Sequence, residues 1–183
     1  MIGRLPKSLN IGGIEYKIRS DFRVALLIFE AFEDPELSEY EKTAIMLECI
    51  YETVPDDVNE AVRLACWFLD GGDIPKSKPS GKPTFDWKQD EGIFFPAINK
   101  AAGKEVRELD YLHWWTFLGY FNEIGEGFFS EVMSIRQKKA KGKKLEKYER
   151  EFYAAHKNVI DIKPRYTADE KAEIDRLNSL LGE

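Results

Sequence analysis

The chain has few of the side chains that most often carry chemistry. Two cysteines, Cys49 and Cys66, and two histidines, His113 and His156, occur among 183 residues. The cysteines lack C-x-x-C spacing and the histidines complete no zinc-finger pattern, so we expect free, buried thiols and no metal site. Phosphate-binding, dinucleotide-binding, G-x-S-x-G and H-E-x-x-H motifs are missing as well. We therefore expect a protein that is not an enzyme and needs no cofactor.

Long apolar runs and an excess of basic charge are also missing. No run approaches the roughly 18 apolar residues of a membrane span, and the first ten residues contain no apolar segment of a signal peptide. We therefore expect no membrane association and a cytoplasmic location. The formal net charge is −6, which disfavours nucleic acid as a partner of the chain as a whole.

The residues that are present favour helices. Hydrophobic residues make up 43% of the chain, enough to form a core. Near the N-terminus, Gly12-Gly13 supplies a two-residue turn, after which Ile14, Tyr16 and Ile18 alternate with polar residues. We predict a mainly α fold, a multi-helix bundle with a small N-terminal β-hairpin.

Helix starts are marked by capping residues. Asp21, Asp56 or Asp57, and Asp110 each precede a periodic apolar segment, and Ser38 with Glu41 and Thr167 with Glu170 form capping boxes. Pro96 lies inside one segment, where we expect a kink or a break. The predicted helices span about 21–33, 39–52, 57–70, 86–102, 111–123, 128–140, 143–157 and 168–181.

Residues 71–84 are rich in proline, glycine and lysine, which indicates an exposed loop or a linker. A linker would divide the chain into two helical units, whereas a loop would belong to one domain. We prefer a single helical domain over 1–163, followed by a C-terminal helical extension over 164–183, because the first seventy residues alone would have a thin core.

Charge is distributed unevenly. Residues 30–60 contain eleven acidic residues and one basic residue, whereas 136–144 contain six basic residues and no acidic one. The basic segment could contact phosphates, form a solvated helix junction, or attract an acidic protein. The two blocks could also drive self-association.

The segment 111–123 is apolar on nearly every side. Such a helix is either central to a core or a surface for a partner, and the sequence leaves both open. His113, flanked by Leu112 and Trp114, is expected to be a hydrogen-bonded core or edge histidine and not a ligand. The candidate partner-binding residues are His113, Trp114, Trp115, Phe117, Phe121, Arg136, Lys138, Lys139, Lys143 and Lys144.

Four pieces of the chain, in order over about 1–157, resemble the bacteriophage "gene product fifteen" family from phages and prophages of Gram-positive bacteria. The double tryptophan after a histidine is the most specific of them. The pieces are Asp21-Phe22-Arg23; Phe85-Asp86-Trp87 with Asp90; Leu112-His113-Trp114-Trp115-Thr116-Phe117 with Phe121; and Phe129-Ser130 followed by Ile135-Arg136, Lys138-Lys139, Gly142-Lys143-Lys144-Leu145, Glu149 and Phe152-Tyr153.

The resemblance implies a role in building a long non-contractile tail. It suggests a tail assembly chaperone, made in the host cytoplasm, which binds the tape measure protein and other tail proteins and is absent from the finished virion. The family has no catalytic residues to transfer. Two alternatives stay open: a nucleic-acid-associated phage protein that uses the basic segment 136–144, and a minor structural tail protein.

Overall fold

A computed structural model of the chain describes residues 3–73 and 83–181. Within these residues the fold is mainly α, as predicted: a two-stranded antiparallel hairpin precedes nine α-helices. A short 3₁₀ turn, Val106–Glu108, lies between the fourth and fifth helices. The elements are β1 (Ser8–Ile11), β2 (Ile14–Lys17), α1 (Phe22–Phe32), α2 (Glu39–Ile50), α3 (Val58–Leu69), α4 (Glu91–Ala102), α5 (Trp114–Asn122), α6 (Phe128–Ala140), α7 (Lys147–Ala155), α8 (Lys157–Ile160) and α9 (Ala168–Leu181).

The N-terminal hairpin forms around the predicted glycine turn. Gly12 and Gly13 have φ angles of +58° and +88°, a conformation that residues with a side chain seldom adopt. Leu9 and Ile11 of β1 are buried, and β1 packs against α3. Ile14 is 60% exposed, although it belongs to the same alternating pattern as Tyr16 and Ile18. The strand that contributes most to the core is therefore β1.

Most of the predicted caps are confirmed. The side chains of Asp21 and Asp57 accept backbone N–H groups at the starts of α1 and α3, and Ser38 with Glu41 forms a complete capping box at α2. The backbone N–H groups of Thr167 and Glu170 are likewise satisfied by each other's side chains at the start of α9. These starts depend on neighbours two or three residues away, which a sequence pattern contains.

Three helix starts differ from the prediction. α4 begins at Glu91, since 86–90 form turns, and α7 begins at Lys147 after a box made by Glu146 and Glu149. α5 begins at Trp114 because His113, and not Asp110, is its N-cap. α4 continues through Pro96 to Ala102 without the break that we considered.

The larger of two hydrophobic clusters among the described residues joins the hairpin, α1 to α5 and Phe129 of α6. Its largest fully buried side chains include Phe22, Tyr51, Phe68, Trp114 and Phe117. A second, smaller cluster consists of Val132, Ile135 and Ile160 and packs α6 against α8. Buried residues on both sides of 71–84 belong to the larger cluster.

The predicted loop at 71–84 falls mainly on residues 74–82, which lie outside the described residues. Its described start is a glycine pair, Gly71 and Gly72, both with positive φ. None of the helices in the described ranges is long and apolar enough to cross a membrane. Both cysteines are free, but Cys66 lies on an exposed face of α3, which corrects the expectation of two buried thiols.

Candidate functional site

His113 is a buried, fully hydrogen-bonded helix cap. Its Nδ1 accepts the Trp115 N–H at 3.0 Å, so Nε2 carries the proton and donates to the Pro6 carbonyl at 2.8 Å. Burial lowers the pKa of the imidazole, and nearby Lys7 lowers it further, while the Pro6 carbonyl opposes both. The neutral ring suits this position because a proton on Nδ1 would remove the acceptor for Trp115. The sequence expectation of a satisfied core histidine is confirmed.

The segments around Asp21 and His113 are joined backbone to backbone. Phe22 N–H donates to the Leu112 carbonyl at 2.9 Å, and Trp114 N–H donates to the Ser20 carbonyl at 2.8 Å. Asp21 Oδ2 accepts the Leu112 N–H, while its Oδ1 caps α1 through the Arg23 N–H. One carboxylate therefore fixes both the start of α1 and the approach to α5.

The tandem tryptophans cap the end of α3. Trp114 Nε1 donates to the Leu69 carbonyl and Trp115 Nε1 donates to the Phe68 carbonyl, each at 2.8 Å. These carbonyls belong to the last turn of α3, where the regular helical partners are missing, although the Phe68 carbonyl also accepts the Gly71 N–H at 3.2 Å. The chain then leaves α3 through Gly72, where a Cβ atom would lie 3.0 Å from Trp115 Cη2. The position of Trp115 and the positive φ angle together disfavour a residue with a Cβ atom at position 72.

Asp90 and Arg136 form a buried ion pair. Arg136 Nη1 and Nη2 donate to the two Asp90 carboxylate oxygens at 2.6 and 2.8 Å, and the side chains are only 5% and 1% exposed. The guanidinium also donates to the carbonyls of Thr84, Val159 and Ile160. One side chain therefore holds the turn before α4 and the end of α8 against α6.

A second, more accessible network adjoins this pair. Arg165 donates to Glu33 at 2.8 Å and to Asp86 at 2.7 Å. Burial raises the pKa of Asp86, but hydrogen bonds from Arg165 and Gln89 outweigh it and the net pKa is lowered. The pKa of Glu33 is raised because burial and the charge of Asp86 outweigh the Trp87 N–H and Arg165. Arg165 thus supplies the positive charge that reduces the repulsion between the Glu33 and Asp86 carboxylates.

The basic segment 136–144 is partly neutralised within the fold. Lys138 pairs with Glu149, and Lys139 pairs with Asp161 and lies 3.8 Å from the centre of the Tyr153 ring. Lys143 and Lys144 are exposed and, within the part of the chain that the structure describes, form no ion pair; Lys141 is in the same situation.

A partly exposed group of aromatic residues lies on α6, on α7 and at the residue that follows α7. We call Phe128, Tyr148, Phe152 and His156 the aromatic row. Phe128 contacts both Phe152 and His156, with ring centres 5.6 and 5.0 Å apart, and Tyr148 contacts Phe152. Tyr148 is 63% and Phe128 41% exposed. The spacing of Tyr148, Phe152 and His156, four residues apart, is the sequence signal that would have predicted this stripe.

An apolar groove of about 420 Å³ leads to the aromatic row. We call it the α4–α6 groove. Phe128 lies at its edge and belongs to both features. Lys100, Glu123 and Glu126 supply polar groups at the border. The apolar lining consists of Ile93, Pro96, Ala97, Ala101, Ile124, Phe128 and Phe129.

A second groove of about 420 Å³ lies on the other side of α4, and we call it the α1–α4 groove. Leu27 is 58% exposed there. Arg23 and Arg107 border it, with Lys88, Glu30 and Glu91. Its apolar lining consists of Phe22, Leu26, Leu27, Trp87, Phe94 and Phe95.

Comparison with protein families gives a match over most of the chain. The model of the family described as "Bacteriophage Gp15 protein" matches residues 1–162, most of the chain. The chain belongs to this bacteriophage Gp15 family. No curated protein and no solved structure matches it.

In this Gp15 protein, the residues that suggested the family resemblance act mainly inside the fold. His113, Trp114 and Phe117 are at most 2% exposed, and Arg136 is 6% exposed. Each of these four side chains is packed or hydrogen-bonded in the core, and a role for them in binding a partner stays a prediction. Phe117 stacks on Phe22 at 4.6 Å between ring centres. The histidine and double tryptophan that suggested the family therefore have a structural role in this fold.

The other candidate partner-binding residues differ in how exposed they are. Trp115 and Phe121 are half-buried against the core of the Gp15 protein, and Lys138 and Lys139 are paired as described. Lys143 and Lys144 are exposed. Among the described residues, no group of three or more His, Cys, Asp or Glu side chains could hold a metal ion. The accessible surface of interest is instead the aromatic row with the α4–α6 groove.

Proposed function

We propose that this Gp15 protein is a tail assembly chaperone, a non-catalytic protein that binds the tape measure protein in the host cytoplasm and assists tail tube assembly. The observation that carries the proposal is the continuous apolar surface formed by the α4–α6 groove and the aromatic row. Family membership supports a phage context, and the role in tail assembly is what the family resemblance implies.

The surface suits a helical client. Amphipathic helices bind by laying an apolar face into a groove between helices. Here Ile93, Ala97 and Ile124 offer an apolar floor, and Phe128 extends it towards Tyr148 and Phe152. Exposed apolar surface that spans several side chains is typical of interaction sites. Tape measure proteins are long, apolar and helical, and such a client would match this surface.

The test is co-expression with the tape measure protein from the same phage. We expect the wild-type chain to co-purify with it and to increase its soluble fraction. Because Tyr148 is 63% and Phe128 41% exposed, the double variant Phe128→Glu, Tyr148→Glu should fold and lose both effects. Tyr40→Glu, at an 84% exposed position on α2, is the matched control and should behave as wild type.

Two results would contradict the proposal. If the wild-type chain neither co-purifies with the tape measure protein nor keeps it soluble, the chaperone function fails. If the double variant retains both effects, the binding surface is elsewhere. Mass spectrometry of purified virions separates the chaperone from a minor structural tail protein, since a chaperone should be absent.

The nucleic-acid alternative has little support from the fold. Arg136 is buried and Lys138 and Lys139 are paired, so Lys141, Lys143 and Lys144 form the accessible part of the basic segment. If DNA or RNA binding is found, replacing these three lysines with serine should reduce its salt dependence.

A further inference from the structure

The surface formed by the α4–α6 groove and the aromatic row has two distinct ends. Phe128 borders the groove and contacts Phe152, whose ring centre lies 6.3 Å from that of Tyr148. Tyr148 lies one helical turn before Phe152 on α7, on the side of the connection between α6 and α7. The surface therefore extends from the groove, across Phe128 and Phe152, to Tyr148 and the start of α7.

The groove end carries acidic side chains that are available to a partner. Glu123 and Glu126 line the groove, are exposed, and form no ion pair within residues 3–73 and 83–181. Lys100 also lines the groove, and its Nζ donates to the backbone carbonyl of Glu126 at 3.3 Å, not to a carboxylate. Two carboxylates against one ammonium group leave this end with a net negative charge.

The Tyr148 end carries the opposite charge. Four exposed lysines lie within seven residues of Tyr148 and form no ion pair in the described part of the chain: Lys141, Lys143, Lys144 and Lys147. Glu146 belongs to the capping box of α7, and Glu151 is exposed beside Tyr148. These two carboxylates offset only part of the lysine charge, so this end is net positive.

This distribution of charge favours one direction for a bound helix. A helix has a partial positive charge at its N-terminus and a partial negative charge at its C-terminus. If its N-terminus lies over Glu123 and Glu126 and its C-terminus lies near Tyr148, both ends are attracted, whereas the reverse direction is unfavourable at both ends. Basic side chains in the first half of the helix and acidic side chains in the second half strengthen the preference.

We propose that this surface binds an amphipathic client helix in one direction, with its basic N-terminal half in the α4–α6 groove and its acidic C-terminal half at Tyr148. The inference rests on the proposed function and adds to it the direction and the charge pattern of the client. Apolar side chains of the helix contribute most of the affinity, because single exposed ion pairs contribute little. The charges discriminate between the two directions.

The experiment compares two synthetic amphipathic peptides that have the same composition and the same stripe of leucines. In the lysine-first peptide, lysines occupy the polar positions of the first half and glutamates those of the second half, and in the glutamate-first peptide this order is reversed. Fluorescence anisotropy measures the Kd of each labelled peptide for the full chain. We expect the lysine-first peptide to bind about tenfold more tightly at low salt, and the ratio to shrink at high salt because exposed charges are screened.

A charge-inverted variant separates the effect of the surface from the helix stability of the peptides themselves. It keeps the net charge and changes four exposed positions: Glu123→Lys, Glu126→Lys, Lys143→Glu and Lys144→Glu. This variant should prefer the glutamate-first peptide. The matched control Lys17→Glu, Glu52→Lys inverts two exposed charges that do not line the α4–α6 groove, and it should keep the wild-type preference. Circular dichroism establishes that each variant is folded.

Several results overturn the proposal. They are equal binding of the two peptides, binding of neither peptide, a wild-type preference that the folded charge-inverted variant retains, and a preference that the matched control loses. Binding of single-stranded DNA by the wild type that the charge-inverted variant loses also overturns it, because the lysines would then serve nucleic acid.

The outcomes for the direction of binding and for the proposed function can be distinguished. If the tape measure protein co-purifies with the chain while the peptides show no preference, the proposed function stands and the inference fails. If the peptides show the expected preference while the tape measure protein does not co-purify, the surface binds helices in the inferred direction and the proposed function fails.

Discussion

Arg136 shows at the residue scale how a charged side chain can be structural. Its ion pair with Asp90 is shielded from water, and three backbone carbonyls complete its hydrogen bonds. Arg136→Met should lower the free energy of unfolding by about 3–5 kcal/mol, because the Asp90 charge would be left buried without a partner. Lys143→Ala, at an exposed position, should change it by less than about 0.5 kcal/mol.

Urea unfolding of Arg136→Met and Lys143→Ala checks this prediction. The double variant Asp90→Leu, Arg136→Met should lose less free energy of unfolding than the sum of the losses of Asp90→Leu and Arg136→Met measured separately, since it leaves no unpaired charge. Additive losses would show that the pair is not coupled. The sequence could not reveal this role, because Asp90 lies 46 residues from Arg136 and a basic run looks the same whether it is solvated or paired.

His113 predicts a dependence of stability on pH. Its pKa in the folded chain is below the ordinary 6.5, so below that pH the unfolded chain binds a proton that the folded chain does not. The free energy of unfolding should therefore fall as the pH decreases from about 6.5 towards the lowered value. His113→Asn keeps a good N-cap but cannot titrate, and it should show a weaker decrease.

The measurement is urea unfolding at about pH 7.5 and about pH 5.5, which bracket an ordinary histidine pKa. Glu33, whose pKa is raised, acts in the opposite direction, but it is present in both proteins and cancels in their difference. An unchanged slope in His113→Asn would show that His113 is not the responsible group.

At the scale of elements, the junction between α3 and α5 depends on Gly72, which follows the end of α3 and lies against α5. Gly72 has a φ angle of +97° and faces the Trp115 ring. Gly72→Ala should destabilise the protein by more than about 1 kcal/mol, since both the backbone conformation and the contact oppose a Cβ atom. Gly119→Ala, in the middle of α5 with open space around it, should instead stabilise it by about 0.5–1 kcal/mol.

Thermal unfolding of the two alanine variants should therefore shift the midpoint in opposite directions. A neutral Gly72→Ala would show that the close approach to Trp115 is relieved at little cost. Both substitutions replace glycine by alanine, so the comparison isolates the backbone conformation and the surroundings of each position.

The elements differ in how far the sequence predicts them. Asp21, Ser38 and Asp57 cap helices through contacts within three residues, and the sequence predicted those starts. The start of α5 was missed because histidine is not among the usual N-cap residues, and because its ring is held by Pro6, more than one hundred residues away. The aromatic row was missed because Phe128 and Phe152 meet only when α6 packs near α7. Helix caps made by the usual capping residues could be predicted from the sequence, whereas contacts between distant segments could not.

At the scale of the whole molecule, the segment 163–167 connects the family core to α9 and also belongs to the core's charge network. Gln89 exchanges two hydrogen bonds with the Lys163 backbone, and Arg165 satisfies Glu33 and Asp86. A chain that ends at Ile162 should therefore be less stable than the full chain by about 1.5–3 kcal/mol, the usual value of hydrogen bonds to charged groups.

A chain that ends at Lys171 keeps these contacts and the Thr167 cap, so it should unfold at nearly the same urea concentration as the full chain. If both truncated chains are equally stable, the Arg165 network contributes little and residues 163–167 serve only as a connection.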